Sequence, residues 1–135
     1  MARIHISPAR ILLAGIAAAG FLFAAEAAQA AAAGDAKSGA AVFMDNCGVC
    51  HDASKGGPNK IGPNLFGVVG RKSAAATGYM YSPAMQKAAL TWDQANLSAF
   101  LAGPQKKVAG TKMGFPGFSD PADEADVIAY LTTLK

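Results

Sequence analysis

The segment Cys47-Gly48-Val49-Cys50-His51 holds both cysteines of the chain and one of its two histidines. Two thiols this close in sequence would close only a tiny loop, and a disulfide between them would remove little chain entropy. They cannot staple distant parts of a fold to one another. A closed structural zinc site needs four Cys or His ligands. The chain has four such residues in all, and one of them, His5, stands near the N-terminus. The 135 residues accommodate one domain. With 52% hydrophobic and 16% charged residues, one Trp, three Tyr and seven Phe, the chain is not a disordered charged tail. It must build a core, and something other than a disulfide or zinc must use the cysteine pair.

The N-terminal segment reads as an export signal. Arg3 and Arg10 precede an apolar, alanine-rich run over residues 11–25, which Glu26 breaks. Ala28-Gln29-Ala30 has the small-x-small pattern of a signal peptidase site. Crossing the hydrocarbon core takes ~20 apolar residues, so the run is short for an anchor. The spacing predicts a cleaved secretory signal peptide over residues 1–30, with cleavage after Ala33 as a second choice. An uncleaved anchor is the alternative, and only residues 31–34 would then separate membrane from domain. Cleavage removes His5 and leaves His51 as the only histidine, in a compartment where a free cysteine pair does not persist unless something claims both sulfurs.

Charge is unevenly placed. The net charge is +3. Residues 53–119 carry Lys55, Lys60, Arg71, Lys72, Lys87, Lys106, Lys107 and Lys112 against Asp93 alone, while both flanks are acidic. A positive face for an acidic partner follows, with dispersed surface lysines as the plainer alternative. Nucleic acid is disfavoured, because no basic cluster exceeds Lys106-Lys107 and no stacking aromatics are interleaved with it.

The pattern along the rest of the chain is helical with long loops. Asp35 can cap a helix over residues 36–46. Residues 52–81 are punctuated by Gly56, Gly57, Gly62, Gly67, Gly70 and Gly78 and have little periodicity, so they read as ordered loop. Thr91-Trp92-Asp93-Gln94 fits a capping box with Thr91 as the cap. The helix it opens carries Leu97, Phe100 and Leu101 and stops at Gly103-Pro104. Asp120-Pro121 opens the last helix, with Asp123 and Glu124 in its first turn. Val127, Tyr130, Leu131 and Leu134 form its apolar stripe. No strand pattern of useful length and no internal repeat occurs. So few short helices make a small core, and a domain of this kind usually needs an added staple. A large, covalently bound apolar cofactor would supply one.

C-x-x-C-H is the spacing of c-type haem attachment. Each thiol adds across one vinyl group, the two intervening residues set the sulfurs at the vinyl separation, and the adjacent histidine lies over the iron. A thioredoxin-like redox pair would lie near a βαβ pattern, which is absent here. His51 is therefore the expected first axial ligand. A methionine is the natural second, thioether plus imidazole being the cytochrome pair that raises the potential. Met44 is too near Cys47 to reach the opposite haem face. Met80 and Met85, in and beside a tyrosine-rich loop, remain alternatives. Met113 is favoured, because it lies in the glycine-bounded stretch 110–117, which can lay backbone against a flat ring.

Gly39-x-x-x-Phe43, the C-x-x-C-H segment, Gly62-Pro63-Asn64-Leu65, Gly67, Gly70-Arg71-Lys72, Gly78-Tyr79-x-Tyr81, Trp92, Pro104, Gly110-Thr111-Lys112-Met113, Phe115, Gly117 and Ile128-Ala129-Tyr130-Leu131 stand in order along residues 34–135. Together they closely resemble the class I cytochromes c of the mitochondrial type, above all the exported bacterial members. The resemblance implies an all-α domain over residues 34–135. Three to five helices and long loops would wrap one covalently bound haem c per chain, held by Cys47 and Cys50 and ligated by His51 and Met113. It implies that Gly39 lets the first helix cross the last near Tyr130, and that the Pro63 carbonyl orients His51. It further implies that Arg71, Tyr81 and Trp92 hold the inner propionate, and that Thr111 and Phe115 pack beside the ring.

Three positions depart from the family pattern. Phe100 stands where a tyrosine hydroxyl commonly approaches the methionine sulfur. Met85 stands where an asparagine usually helps bind an internal water, which makes it the leading rival ligand if Met113 detaches. Gln105 replaces a common lysine of the interaction face. The first two changes predict a drier pocket with one donor fewer on the ligand, and a modestly lower potential.

With both axial positions filled, iron has no open site for substrate, and no catalytic base or nucleophile is in view. The implied function is therefore that of a soluble, monomeric, periplasmic one-electron carrier and not an enzyme. Its partners would be membrane redox complexes or periplasmic redox enzymes with acidic docking surfaces: a quinol-oxidising donor and an oxidase, reductase or reaction-centre acceptor. Lys60, Lys72, Lys106 and Lys112 are the implied docking face. No membrane insertion is expected once the signal is removed. A haem enzyme or gas sensor would need an open coordination site. A dedicated subunit of a larger dehydrogenase would use the same residues and remains the nearer alternative.

Overall fold

The computed structural model describes residues 33–135, so the expected signal peptide over residues 1–30 lies outside the described residues. Five helices follow in order: α1 (Ala36–Asn46), α2 (Pro83–Ala88), α3 (Gln94–Leu101), α4 (Pro104–Lys107) and α5 (Pro121–Thr133). Among the described residues there is no strand, only an isolated antiparallel bridge between Lys72 and Thr91. None of the described helices is long and apolar enough to cross a membrane.

Helices α1 and α5 begin as their sequences predict. The Asp35 carboxylate accepts from the Ser38 N–H at 2.7 Å, and Asp120 accepts from Ala122 at 2.8 Å. Each side chain satisfies a backbone donor that the first turn leaves free. Pro121 fills the first helical position, and Asp123 and Glu124 stand in the first turn, where the helix dipole favours anions. The two helices cross at Gly39, and a Cβ there would meet the Asp126 backbone and lie 2.9 Å from Tyr130 Cβ. Phe43 fills the crossing beside Tyr130, with ring centroids 5.4 Å apart. The buried face of α5 is Val127, Ile128 and Leu131, so Ile128 belongs to the stripe while Tyr130 and Leu134 sit at its margin.

Helix α3 corrects the expected cap. Asp93, not Thr91, accepts from the N3 amide, Asn96 N, at 2.8 Å. Thr91 is held two residues upstream by the bridge to Lys72, its Oγ1 accepting from Lys72 Nζ and its carbonyl from Asn96 Nδ2. An extended residue in a bridge cannot also be the residue that turns into the helix. Asp93 is next in line and brings a carboxylate to the same task.

Helices α2 and α4 add to the sequence reading, which marks no helix at either place. Ser82 caps α2, accepting from Met85 N at 3.1 Å, and Pro83 and Pro104 occupy the opening turns of the two helices. Pro104 thus both stops α3 and starts α4. With six and four residues, neither helix is long enough to show a 3.6-residue period.

Residues 52–81 contain no helix, as expected, and are fixed by point contacts. Gly62 N donates to the Cys50 carbonyl at 2.8 Å, Leu65 N to Asp52 at 2.8 Å, and Asn59 Nδ2 to Thr77 at 3.0 Å. The buried core runs from Phe43 through Trp92, Leu97, Phe100 and Leu101 to Val127 and Leu131. Much of it forms one wall of a cavity.

Candidate cofactor site

Helix α1 ends at the attachment motif. Cys47 is its C-cap, with its N–H on the Phe43 carbonyl at 2.8 Å, and the His51 N–H in turn reaches the Cys47 carbonyl at 2.8 Å. The motif is therefore one further, irregular turn, which places Cys47, Cys50 and His51 on the wall of one cavity. Both cysteines are half-buried and neither is paired in a disulfide. Burial, with Cys50 close by, pushes the Cys47 thiol up to about 11.

His51 is oriented by its far side. Its Nδ1 lies 2.7 Å from the Pro63 carbonyl oxygen, to which it donates. Burial holds the ring's pKa below the usual histidine value, and Lys60 acts in the same direction against the Pro63 bond. A neutral imidazole with Nδ1–H engaged keeps its Nε2 lone pair available as a ligand. Gly62 lies flat against this ring, and a Cβ there would come within 2.6 Å of both ring nitrogens.

The cavity measures about 490 Å³. Every residue expected from sequence to touch the cofactor lines it: Cys47, Cys50, His51, Pro63, Arg71, Tyr81, Trp92, Thr111, Met113 and Phe115. Leu65, Val68, Leu97, Phe100, Leu101, Val127 and Leu131 supply apolar wall. Arg71 is fixed by donating to the Phe66 carbonyl at 3.1 Å and the Asn64 carbonyl at 2.9 Å. The Tyr81 hydroxyl accepts from Ala76 N at 3.2 Å, which leaves its own hydrogen to donate elsewhere, and burial raises its pKa. Thr111 is buried, with Oγ1 accepting from Met113 N at 3.3 Å. Phe115 packs edge-on against Phe118, centroids 5.0 Å apart.

The methionines separate cleanly. Met44 and Met80 are 67% and 80% exposed and lie off the cavity. Met113 and Met85 both line it. Met85 is buried at the start of α2, close to the apolar wall that Phe100 shares with Trp92 at a 5.0 Å centroid separation. The sequence reading makes Met85 the leading rival ligand, beside a drier pocket, and its side chain lines the cavity. Among basic residues, Lys112 lines the cavity and donates to the Met80 carbonyl at 2.9 Å, and Lys60 donates to the Gly48 carbonyl at 3.0 Å. Lys72 stands apart on the Thr91 bridge. Gly62 enters the sequence reading only as part of the Gly62-Pro63-Asn64-Leu65 motif, and Gln105 only as a departure on the interaction face. The close approach of Gly62 to the His51 ring, and the hydrogen bonds of Gln105 to Gly110 and Thr111, are set by the fold and have no local signal.

The residues present fit a haem. The cavity is apolar and of cofactor size. Two thiols and an oriented imidazole share one rim, a thioether lines the same space, and Arg71, Tyr81 and Trp92 offer a cation and donors for carboxylates.

Comparison with known proteins agrees with this geometry. The cytochrome c family model matches residues 36–135. The chain is 46% identical to cytochrome c-554 of Methylosinus trichosporium over 115 residues, which is 85% of this chain and 86% of that protein. It is 49% identical to cytochrome c2 of Rhodopila globiformis over 102 residues, 76% of this chain and 95% of the other. Cytochrome cH from Methylobacterium extorquens superposes with a TM-score of 0.69 at 52% identity, covering 74% of this chain and 99% of that one.

Proposed function

The chain belongs to the cytochrome c family, as a class I electron-transfer protein with one covalently bound haem c and not an enzyme, and on that premise we propose that it is a periplasmic one-electron shuttle with His51 and Met113 as axial ligands. When bound, the haem supplies a single-electron ferric/ferrous couple. Cys47 and Cys50 would anchor it through thioether bonds. His51 offers Nε2 from one side, held in that tautomer by Pro63. Met113 offers its sulfur from the segment 110–117. Arg71, Tyr81 and Trp92 would neutralise and hydrogen-bond a haem propionate, and Thr111 and Phe115 would close the edge of the site. The oriented His51 and the apolar wall would keep water from the group and limit reorganisation on electron transfer.

The observation that carries this reading is that His51 and Met113 line one cavity with both cysteines, while Met44 and Met80 lie outside it. Export is supported by Ala28-Gln29-Ala30 and by the chemistry of a cysteine pair that needs an occupant outside the cytoplasm. Lys60 and Lys112, beside the cavity, offer positive charge to an acidic donor or acceptor such as a membrane redox complex.

The test is the absorption spectrum of the mature holoprotein in both oxidation states, with carbon monoxide added to the ferrous form. Low-spin spectra, a weak far-red sulfur-to-iron band and no response to carbon monoxide are expected. A high-spin ferric form or rapid carbon monoxide binding would sink Met113 as a firm ligand, and the carrier reading with it.

A further inference from the structure

Gln105, on the short helix α4, makes three hydrogen bonds across the segment that carries Met113. Its Oε1 accepts from Gly110 N at 3.2 Å. Its Nε2 donates to the Thr111 carbonyl at 2.8 Å and to the Met113 carbonyl at 3.4 Å. One side-chain amide therefore grips the segment at its start and at its end. Among the described residues no backbone N–H reaches either of those two carbonyls. Gly110 sits at φ +87°, so the chain reverses here with no helix or sheet to hold it. The remaining ties are Thr111 N on the Val108 carbonyl at 3.0 Å, Met113 N on Thr111 Oγ1 at 3.3 Å and Lys112 Nζ on the Met80 carbonyl at 2.9 Å.

The clamp has a firm base. Pro104 is fully buried, and the N–H groups of Lys106 and Lys107 both reach the Gly103 carbonyl at 3.0 Å. Val108 N closes the turn on the Pro104 carbonyl at 2.8 Å. Gln105 thus projects from a pinned turn, and its planar amide presents one acceptor oxygen and two donor hydrogens, one donor more than a peptide group has. We propose that Gln105 is a positioning residue that holds the 110–113 segment against the cavity and so keeps the Met113 thioether in place. The proposal rests on the reading of Met113 as the second axial ligand. Lysine, with donors only, could not grip Gly110.

The test compares wild-type holoprotein with Gln105→Ala and Gln105→Glu, using two readouts. One is amide hydrogen exchange at Gly110 by NMR. The other is the concentration of added imidazole that halves the far-red sulfur-to-iron band of the ferric protein. In Gln105→Ala, Gly110 should exchange about five- to tenfold faster, and imidazole should displace the thioether at about five- to tenfold lower concentration, as loss of hydrogen bonds of ordinary strength implies. Gln105→Glu keeps the acceptor and loses the donors. Its Gly110 exchange should stay within about twofold of wild type while displacement is still eased. Wild-type behaviour of Gln105→Ala in either readout overturns the proposal. A wild-type protein with no far-red band overturns Met113 ligation instead, and Gly110 exchange then still decides whether Gln105 grips the segment.

Discussion

Gly39 of α1 lies directly against the backbone of Asp126 in α5, with no room between them for a methyl group. The contact fixes how closely the two helices cross, and the crossing fixes the direction in which α1 delivers Cys47, Cys50 and His51 to the cavity. A single missing side chain thus links the packing of the terminal helices to the geometry of the site.

Gly39→Ala should destabilise the holoprotein by about 1–3 kcal/mol, the usual cost of overpacking, with Gly39→Val worse. Denaturant unfolding with a fixed slope is the measurement. A change below about 0.5 kcal/mol would show that the helices separate without strain.

Gly62→Ala tests the other close approach. Its methyl would come within 2.6 Å of both imidazole nitrogens of His51. The ring must tilt off the Pro63 carbonyl, so the variant should show a growing high-spin fraction in its ferric spectrum. An unaltered low-spin spectrum would mean that the 2.7 Å bond to Pro63 is not what sets the ring.

Phe100→Tyr should raise the midpoint potential. Phe100 is buried in the cavity wall that Met113 also lines. A hydroxyl donor there would draw electron density from the thioether and favour ferrous iron. The electrochemical equivalent of one hydrogen bond of about 0.5–1.5 kcal/mol is roughly 20–60 mV for one electron. Redox titration giving an unchanged or lower midpoint would refute the account.

Ala89 terminates α2 at φ +50°, a conformation in which its Cβ is strained. It is exposed, so replacement loses no packing. Ala89→Gly should stabilise by about 0.5–1 kcal/mol, the relief of strain exceeding glycine's entropy cost. Thermal unfolding would reveal this as a higher Tm, and a lower one would count against it.

Asp35 gives a pH dependence. The Ser38 N–H, and after it the Ser38 hydroxyl, hold the carboxylate's pKa below its ordinary value. A group with a depressed native pKa lends stability that is present above the unfolded value and is lost as pH falls through the native one. Wild type should therefore lose its advantage over Asp35→Asn as pH drops below about 4 and keep it near neutrality. Equal Tm differences at pH 6 and pH 3 would remove the carboxylate from the explanation.

Much of the site is written in short-range chemistry. The C-x-x-C-H spacing specifies its attachment group because two residues fix the sulfur separation. The Asp35 and Asp120 caps are readable because a cap acts within three residues. The cap of α3 is misread because the Lys72–Thr91 bridge, 19 residues apart in sequence, removes Thr91 from contention. Helices α2 and α4 are too short to carry a period.

The sequence by itself determined the class of fold, the attachment motif and a register of motifs that identified the family. It did so because spacing along a chain is a local property. Only the tertiary structure decided which methionines face the cavity. Met80 and Met85 are chemically alike and close in sequence, yet the turn at Ser82-Pro83 buries one and leaves the other 80% exposed. Only the tertiary structure, too, turned Gln105 onto Gly110, Thr111 and Met113. An amide reads in sequence as any polar surface residue, and its role depends on where a buried Pro104 aims it. Hydrogen bonds and burial between distant segments are set by the folded packing, which no local pattern encodes.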